Sequence, residues 1–135
     1  MALQFSAGVR NAILDVIEST IGATAVLKIR SGAAPATVAT ADSGTVLSTL
    51  TLPSDWMAAA SGGSKAKSGT WEDTSADATG TAAHFRLYAA DGTTCHMQGT
   101  VTATGGGGDM TVDNTSFAAA QAFTITGFTL TAPGA

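Results

Sequence analysis

The sequence changes texture at Gly22, and that change fixes most of what the chain can become. Before it, Val9, Ile13, Val16, Ile17, Thr20 and Ile21 recur at the spacing of one stripe on an α-helix. After it, Thr, Val, Gly and Ser dominate, and the apolar period falls to two, as in a half-buried strand. Ser6 is placed to cap a helix over residues 7–21, with Gly22 as its C′ residue. Asp15 and Glu18 fall on the side opposite the stripe, while Arg10 intrudes on it, so its head is expected to reach for water. The division places a helical segment at residues 1–22 and a β domain at residues 23–135.

Several strands follow. Thr24 to Arg30 alternates, with Ala25, Leu27 and Ile29 on one face and Val26, Lys28 and Arg30 on the other. Residues 31–44, with Pro35 and Asp42-Ser43-Gly44, read as a long irregular connection. Thr45 to Leu52 is a second strand whose apolar face carries Val46, Leu50 and Leu52, interrupted by Ser48, and Pro53 stops it. Trp56 to Ala60 fits a helical turn or a short strand, and Ser61 to Ser64 reads as a flexible break. Thr70-Trp71-Glu72 opens another strand, and Asp73 to Thr81 reads as loop.

A hairpin around Asp91-Gly92 joins Ala83–Ala89 to Thr94–Val101. A three-residue loop, Ala90 to Gly92, sets Phe85 against Met97 and Leu87 against Cys95, which makes one apolar face. The other face then carries His84, Arg86, Tyr88, His96 and Gln98. Gly105–Gly108 is a floppy loop or a tight bend, and Asp109–Asp113 is a short strand. Ala122 to Thr131 is the last strand, and its apolar phase slips by one at Gly127, as at a β-bulge. Seven or so short, turn-rich strands point to an antiparallel β-sandwich or jelly roll behind one amphipathic helix.

At 135 residues the chain is the size of one domain. Only 12% of residues are charged, about half the usual ~25%, and the net charge is -4. The scattered basic residues argue against nucleic acid, which needs clustered Lys and Arg. No apolar run reaches the ~18 residues of a membrane span. The single cysteine, Cys95, excludes an internal disulfide and favours a reducing compartment. The N-terminus shows no signal-peptide pattern.

Candidate chemistry is sparse. The hairpin register puts His84 and His96 diagonally on one face, but the nearest third neighbour is Arg86, which repels cations. Cys95 falls on the apolar face as a buried thiol. Gly105–Gly108 lacks the Lys-Ser or Lys-Thr of a phosphate loop, and the Asp and Glu residues match no ordered calcium loop. Trp56 and Trp71 read as core or rim aromatics; exposed, such a pair would stack on sugar rings. No catalytic residue, cofactor or metal ligand is assigned.

Two stretches carry a resemblance. One is Thr49-Leu50-Thr51-Leu52-Pro53-Ser54-Asp55-Trp56-Met57-Ala58-Ala59-Ala60. The other runs from Thr81-Ala82-Ala83-His84-Phe85-Arg86-Leu87-Tyr88 through Asp91-Gly92 and Thr94-Cys95-His96-Met97-Gln98-Gly99 to Asp109-Met110. With Leu27-Lys28-Ile29-Arg30-Ser31-Gly32 and Phe128-Thr129-Leu130-Thr131, they resemble small structural proteins of tailed bacteriophages and prophages, among them head decoration, or cement, proteins. The resemblance implies a non-enzymatic, jelly-roll-like virion protein. It would be made in the host bacterial cytoplasm and clamp the capsid exterior by binding the major capsid protein. A position on a symmetry axis implies self-association, a dimer before a trimer. The alternatives are a tail or tail-fibre component and a carbohydrate-binding module. The candidate assembly interface is the helix stripe of Val9, Ile13, Val16, Ile17 and Ile21, which must be covered either by the chain's own sheet or by a partner.

Overall fold

The computed structural model describes residues 2–135. It is mainly β, with one N-terminal helix and a curled mixed sheet. Helix α1 spans Ala7–Ile21. The Ser6 hydroxyl accepts from the Val9 N–H, and Gly22, at φ 92°, closes the helix by donating its N–H to the Glu18 carbonyl. The strands are β1 Val26–Ser31, β2 Val46–Thr51, β3 Ser64–Ala66, β4 Glu72–Asp73, β5 Gly80–Tyr88, β6 Cys95–Ala103, β7 Met110–Val112, β8 Ser116–Phe117 and β9 Phe123–Thr131.

The strand order is β2-β1-β5-β6-β7-β9-β3, with β4 also on β9 and β8 on β5. One edge of β9 takes β7, and its other edge is covered by β3 and β4. The sheet then curls until Asp73 of β4 accepts a hydrogen bond from the Ser48 hydroxyl of β2. Inside the curl lie Leu27, Ile29, Leu47, Leu50, Trp56, Trp71, Phe85, Leu87, Val112, Phe123, Ile125 and Phe128. Trp71 packs against both Trp56 and Phe128, with ring centroids 6.1 and 5.8 Å away. Each such side chain contributes roughly 1.5–3 kcal/mol by leaving water, which ties the two ends of the curl together.

The sheet is not wholly antiparallel. β6 and β7 are parallel, with Val101 opposite Met110. A parallel connection usually needs a dozen or more residues. Here residues 104–109 suffice, because β7 is short and starts beside Val101 rather than beside the start of β6. The chain doubles back over Thr102, whose hydroxyl accepts from the Gly108 N–H at 3.0 Å. A Cβ on Gly106 or Gly108 would stand 2.8 Å from Thr102 atoms. The glycine run is therefore a tight bend.

Bulges decide which side chains share a face. In β2 Leu47 is the extra residue: Ile29 pairs with Ser48 and Arg30 with Val46. Val46 thus sits on the face away from Leu50, against expectation, and Leu47 enters the core where Gly80 leaves room. The β5–β6 hairpin also differs from its expected register, since Phe85 pairs with Gly99 and Leu87 with Met97. The loop is one residue longer than expected, closed by the Ala89 N–H on the Thr94 carbonyl. The Asp91 carboxylate holds it by accepting from the N–H groups of Thr93 and Thr94. A bulge between Leu87 and Tyr88 then sets Cys95 opposite Tyr88, off the apolar face. The phase slip at Gly127 is present, since Thr111 pairs with Gly127 but Val112 with Ile125. Trp56–Ala60 forms no helix and is extended, with a single bridge from Met57 to Lys67. Ser61–Ser64 is a tight two-residue turn, with Gly62 and Gly63 both at positive φ, rather than a flexible break.

Candidate interaction surface

Helix α1 docks on the sheet through its polar side. Lys65 of β3 is 4% exposed, and its ammonium lies 2.8 Å from Asp15 Oδ1 and 2.9 Å from Glu18 Oε2. Burial pulls the Lys65 pKa down, but the two carboxylates outweigh it and hold it above the ordinary value. The Lys65 hydrogen bond in turn holds Asp15 below the usual carboxylate range. Glu18 also accepts from the Met57 N–H, and Asn11 from the Gly63 N–H. Arg10 donates to the carbonyls of Ala132 and Gly62 instead of reaching for water. The Trp56 indole N–H reaches the Gly22 carbonyl at 3.0 Å. Leu14, 2% exposed, and Ile21 fill the apolar part of this contact.

The consequence is an apolar face turned outward. At ~100° per residue, Arg10, Asn11, Leu14, Glu18 and Ile21 cluster on the docked side, and Val9, Ala12, Ile13, Val16 and Thr20 cluster opposite. Val9 is 46%, Ile13 37% and Val16 61% exposed. The expected interface stripe is therefore divided. Ile21 is buried in the core and Ile17, half-buried, packs against it, so only part of the stripe is freely exposed. Leu3 and Phe5, before the helix, are also exposed, and the Phe5 N–H donates to the Gly134 carbonyl in the C-terminal tail. At the other end Val16, Ile17, Thr20, Ile21 and His96 line an open hollow of about 240 Å³.

The opposite face of the sheet is not an exposed polar surface. The connection 31–44 folds across it as a strap. Asp42 accepts from Arg86 Nη1, Arg30 Nη2 and the Tyr88 hydroxyl, each at 2.7 Å. Arg86 also donates to the carbonyls of Val38 and Thr40, and Gln98 to that of Pro35. His84, Arg86 and Tyr88 are buried beneath it. Burial raises the Asp42 carboxyl, but the Tyr88 hydrogen bond and the two guanidinium groups win and lower it. Burial, with Asp42 beside it, raises Tyr88.

His84 and His96 do not come together. His84 pairs with Thr100 and bonds the Gly32 carbonyl at 2.7 Å, whereas His96 lies beside α1. Cys95 is half-buried and accepts from Arg86 Nε at 3.1 Å, so it is not the apolar core thiol expected. Among the described residues no three His, Cys, Asp or Glu are grouped to hold a metal, and no helix is long and apolar enough to cross a membrane. Trp56 and Trp71 are buried, so the aromatic pair offers no platform for a sugar. Sequence reasoning missed Lys65 and Asp42. The signal for Lys65 was Asp15 and Glu18, one helical turn apart on a helix with no other acidic residue.

Compared with protein-family models, curated proteins and solved structures, the chain matches none.

Proposed function

We propose that this chain is a non-enzymatic structural protein of a tailed-phage virion. In this reading it is a decoration or cement protein that binds the outside of the major capsid protein lattice and stabilises the head. The observation that carries the reading is the outward face of α1. Its apolar side chains are held in water by a helix whose charged groups are all engaged elsewhere. An apolar surface maintained this way suits assembly. The phage context comes from the sequence resemblance. The jelly-roll-like sandwich is part of the same proposal, supported by the curl that brings β4, hydrogen-bonded to β9, opposite β2. Modest contacts repeated over a shell add up by avidity. The protein would be made in the host cytoplasm and reside on the capsid exterior.

Quantitative mass spectrometry of the purified particle tests this. A copy number comparable to that of the major capsid protein is expected. A few copies per particle assigns the chain to the tail, and absence from the particle ends the virion reading.

A further inference from the structure

We propose that Arg30, Arg86 and Tyr88 form an exchangeable carboxylate-binding site. Asp42 fills it while the strap of residues 31–44 lies on the sheet, and a carboxylate from outside the chain fills it when the strap lifts. The inference goes beyond the assembly reading and does not depend on it. Three observations carry it.

The first is the donor set. Asp42 Oδ1 accepts from Arg86 Nη1 and the Tyr88 hydroxyl, and Oδ2 accepts from Arg30 Nη2. Charge-assisted donors placed on both oxygens of one planar group select a carboxylate. Arg30 comes from β1, and Arg86 and Tyr88 from β5, two paired strands. Arg86 Nε donates to Cys95 Sγ of β6, and Arg30 Nη2 also donates to the Tyr88 hydroxyl at 3.2 Å. These contacts lie within the sheet, so the donors keep their places when the strap leaves.

The second is charge. Lys28, whose ammonium lies 4.8 Å from the centre of the Tyr88 ring, joins Arg30 and Arg86 on this face. Three of the chain's six Lys and Arg residues thus meet at a strap whose sole acidic residue is Asp42. Among the described residues the buried Arg30 Nε has no acceptor, so one carboxylate leaves that guanidinium partly unsatisfied. The Asp42 side chain is 40% exposed, which puts the carboxylate position within reach of solvent.

The third is the strap itself. None of its residues is buried, so it brings no apolar anchor to the sheet. Its hold is polar, through Asp42 and through carbonyls bonded to Arg86, Gln98 and His84. Its ends meet at a neck, where the Ser31 N–H donates to the Thr45 carbonyl and the Thr45 N–H to the Ser31 hydroxyl. Gly32 and Gly44 stand at this neck with φ of 74° and 73°. Within the strap, the Ser43 hydroxyl donates to the Ala33 carbonyl and the Thr40 N–H to the Thr37 carbonyl. A loop closed at its neck and bonded to itself is a compact unit. A segment with few buried apolar contacts opens well below the free energy of global unfolding.

NMR of the full chain tests the site, with Tyr88 as a private reporter because it is the single tyrosine. Asp42→Ala is titrated with sodium acetate at constant ionic strength, since added salt alone screens charge, and acetamide is the neutral control. The expected result is a saturable shift of the Tyr88 ring signals with acetate and none with acetamide. Adding Arg30→Met to Asp42→Ala removes one donor together with a buried cation that has lost its carboxylate, so folding is spared while acetate affinity falls at least tenfold. In the wild-type chain, acetate shifts the amide signals of residues 37–42 as the strap lifts. Half-saturation there needs at least tenfold more acetate than in Asp42→Ala, because the closed strap lowers the competent fraction. An end-blocked tetraglutamate peptide separates the sources: tighter binding than acetate assigns the site to an acidic protein segment, and equal binding to a small carboxylate. A folded Asp42→Ala chain that ignores acetate overturns the site. A wild-type chain whose strap signals ignore acetate and peptide alike overturns the exchange, and that titration decides alone where Asp42→Ala does not fold.

Discussion

Lys65 Nζ sits 2.8 Å from Asp15 Oδ1, joining β3 to a helix 50 positions earlier in the chain. That contact, reinforced by Glu18, sets the rotation of α1 about its axis. With the acidic side held inward, Val9, Ile13 and Val16 have nowhere to go but outward.

Lys65→Met removes the buried cation and leaves Glu18, itself largely shielded, without its partner. Breaking a buried pair from one side costs about 3–5 kcal/mol. Glu18 retains some water, so the expected loss is about 2–4 kcal/mol in urea unfolding. Amide exchange along residues 7–21 should rise with it. A loss below the experimental error would mean that Leu14, Ile21 and the Arg10 and Asn11 hydrogen bonds hold the helix without the ion pair.

Asp42→Asn leaves Arg30 and Arg86 beneath the strap with no carboxylate between them. The expected cost is about 3 kcal/mol, set by two buried cations left uncompensated. Protection should be lost first over residues 31–44, because every contact of Asp42 crosses from that segment to the sheet. Unchanged exchange in the strap would show that its carbonyl contacts to Arg86 and Gln98 suffice.

Acid should unfold the chain through its depressed carboxylates. Asp15 and Asp42 titrate below their ordinary value when folded, and Asp91 at about 2 through the hydroxyl and N–H groups of Thr94. A lowered folded pKa contributes stability above the unfolded value, which is lost as pH falls through the folded one. Unfolding free energy should therefore be flat near neutrality and decline from about pH 4 downward. Lys65, raised in the fold, acts at the other end. Its contribution is complete below the ordinary lysine value and disappears as pH rises through the folded one. Urea titrations across the pH range, with Asp42→Asn showing a shallower acid slope, check both signs.

Gly108→Ala tests the tight bend before β7. The new Cβ would stand 2.8 Å from the Thr102 hydroxyl and 2.9 Å from its backbone nitrogen. Overpacking of this kind costs about 1–3 kcal/mol. Thr102→Ala, combined with Gly108→Ala, should recover part of the side-chain clash but not the backbone one. A neutral Gly108→Ala in thermal unfolding would contradict the crossover geometry.

The readable parts of this fold are local. Helix α1 matches its caps because Ser6 and Gly22 act on backbone groups within a turn. The alternation of β1 and the bulge before Gly127 likewise depend on neighbours in sequence. What was not legible depends on residues far apart. A polar alternation such as His84, Arg86, Tyr88 signals a second face, but not whether a loop will cover it. The cover comes from Asp42, 44 positions before Arg86. The hairpin register turned on one extra loop residue stabilised by Asp91, which also moved Cys95 to the Arg86 side. The apolar stripe on α1 was plain, yet which part of it docks was settled by Lys65, a residue that gives no helical signal.

The rotation of α1 is the claim on which the rest depends, and urea unfolding of Leu14→Asp beside Val16→Asp measures it most directly. Leu14 is buried and Val16 is 61% exposed, two residues apart on one helix. Leu14→Asp should cost about 3 kcal/mol or more, as a charge forced among packed apolar groups. Val16→Asp should stay within about 0.5 kcal/mol of the parent, as surface substitutions do. Equal losses in both variants, or the larger loss at Val16, would contradict the outward face.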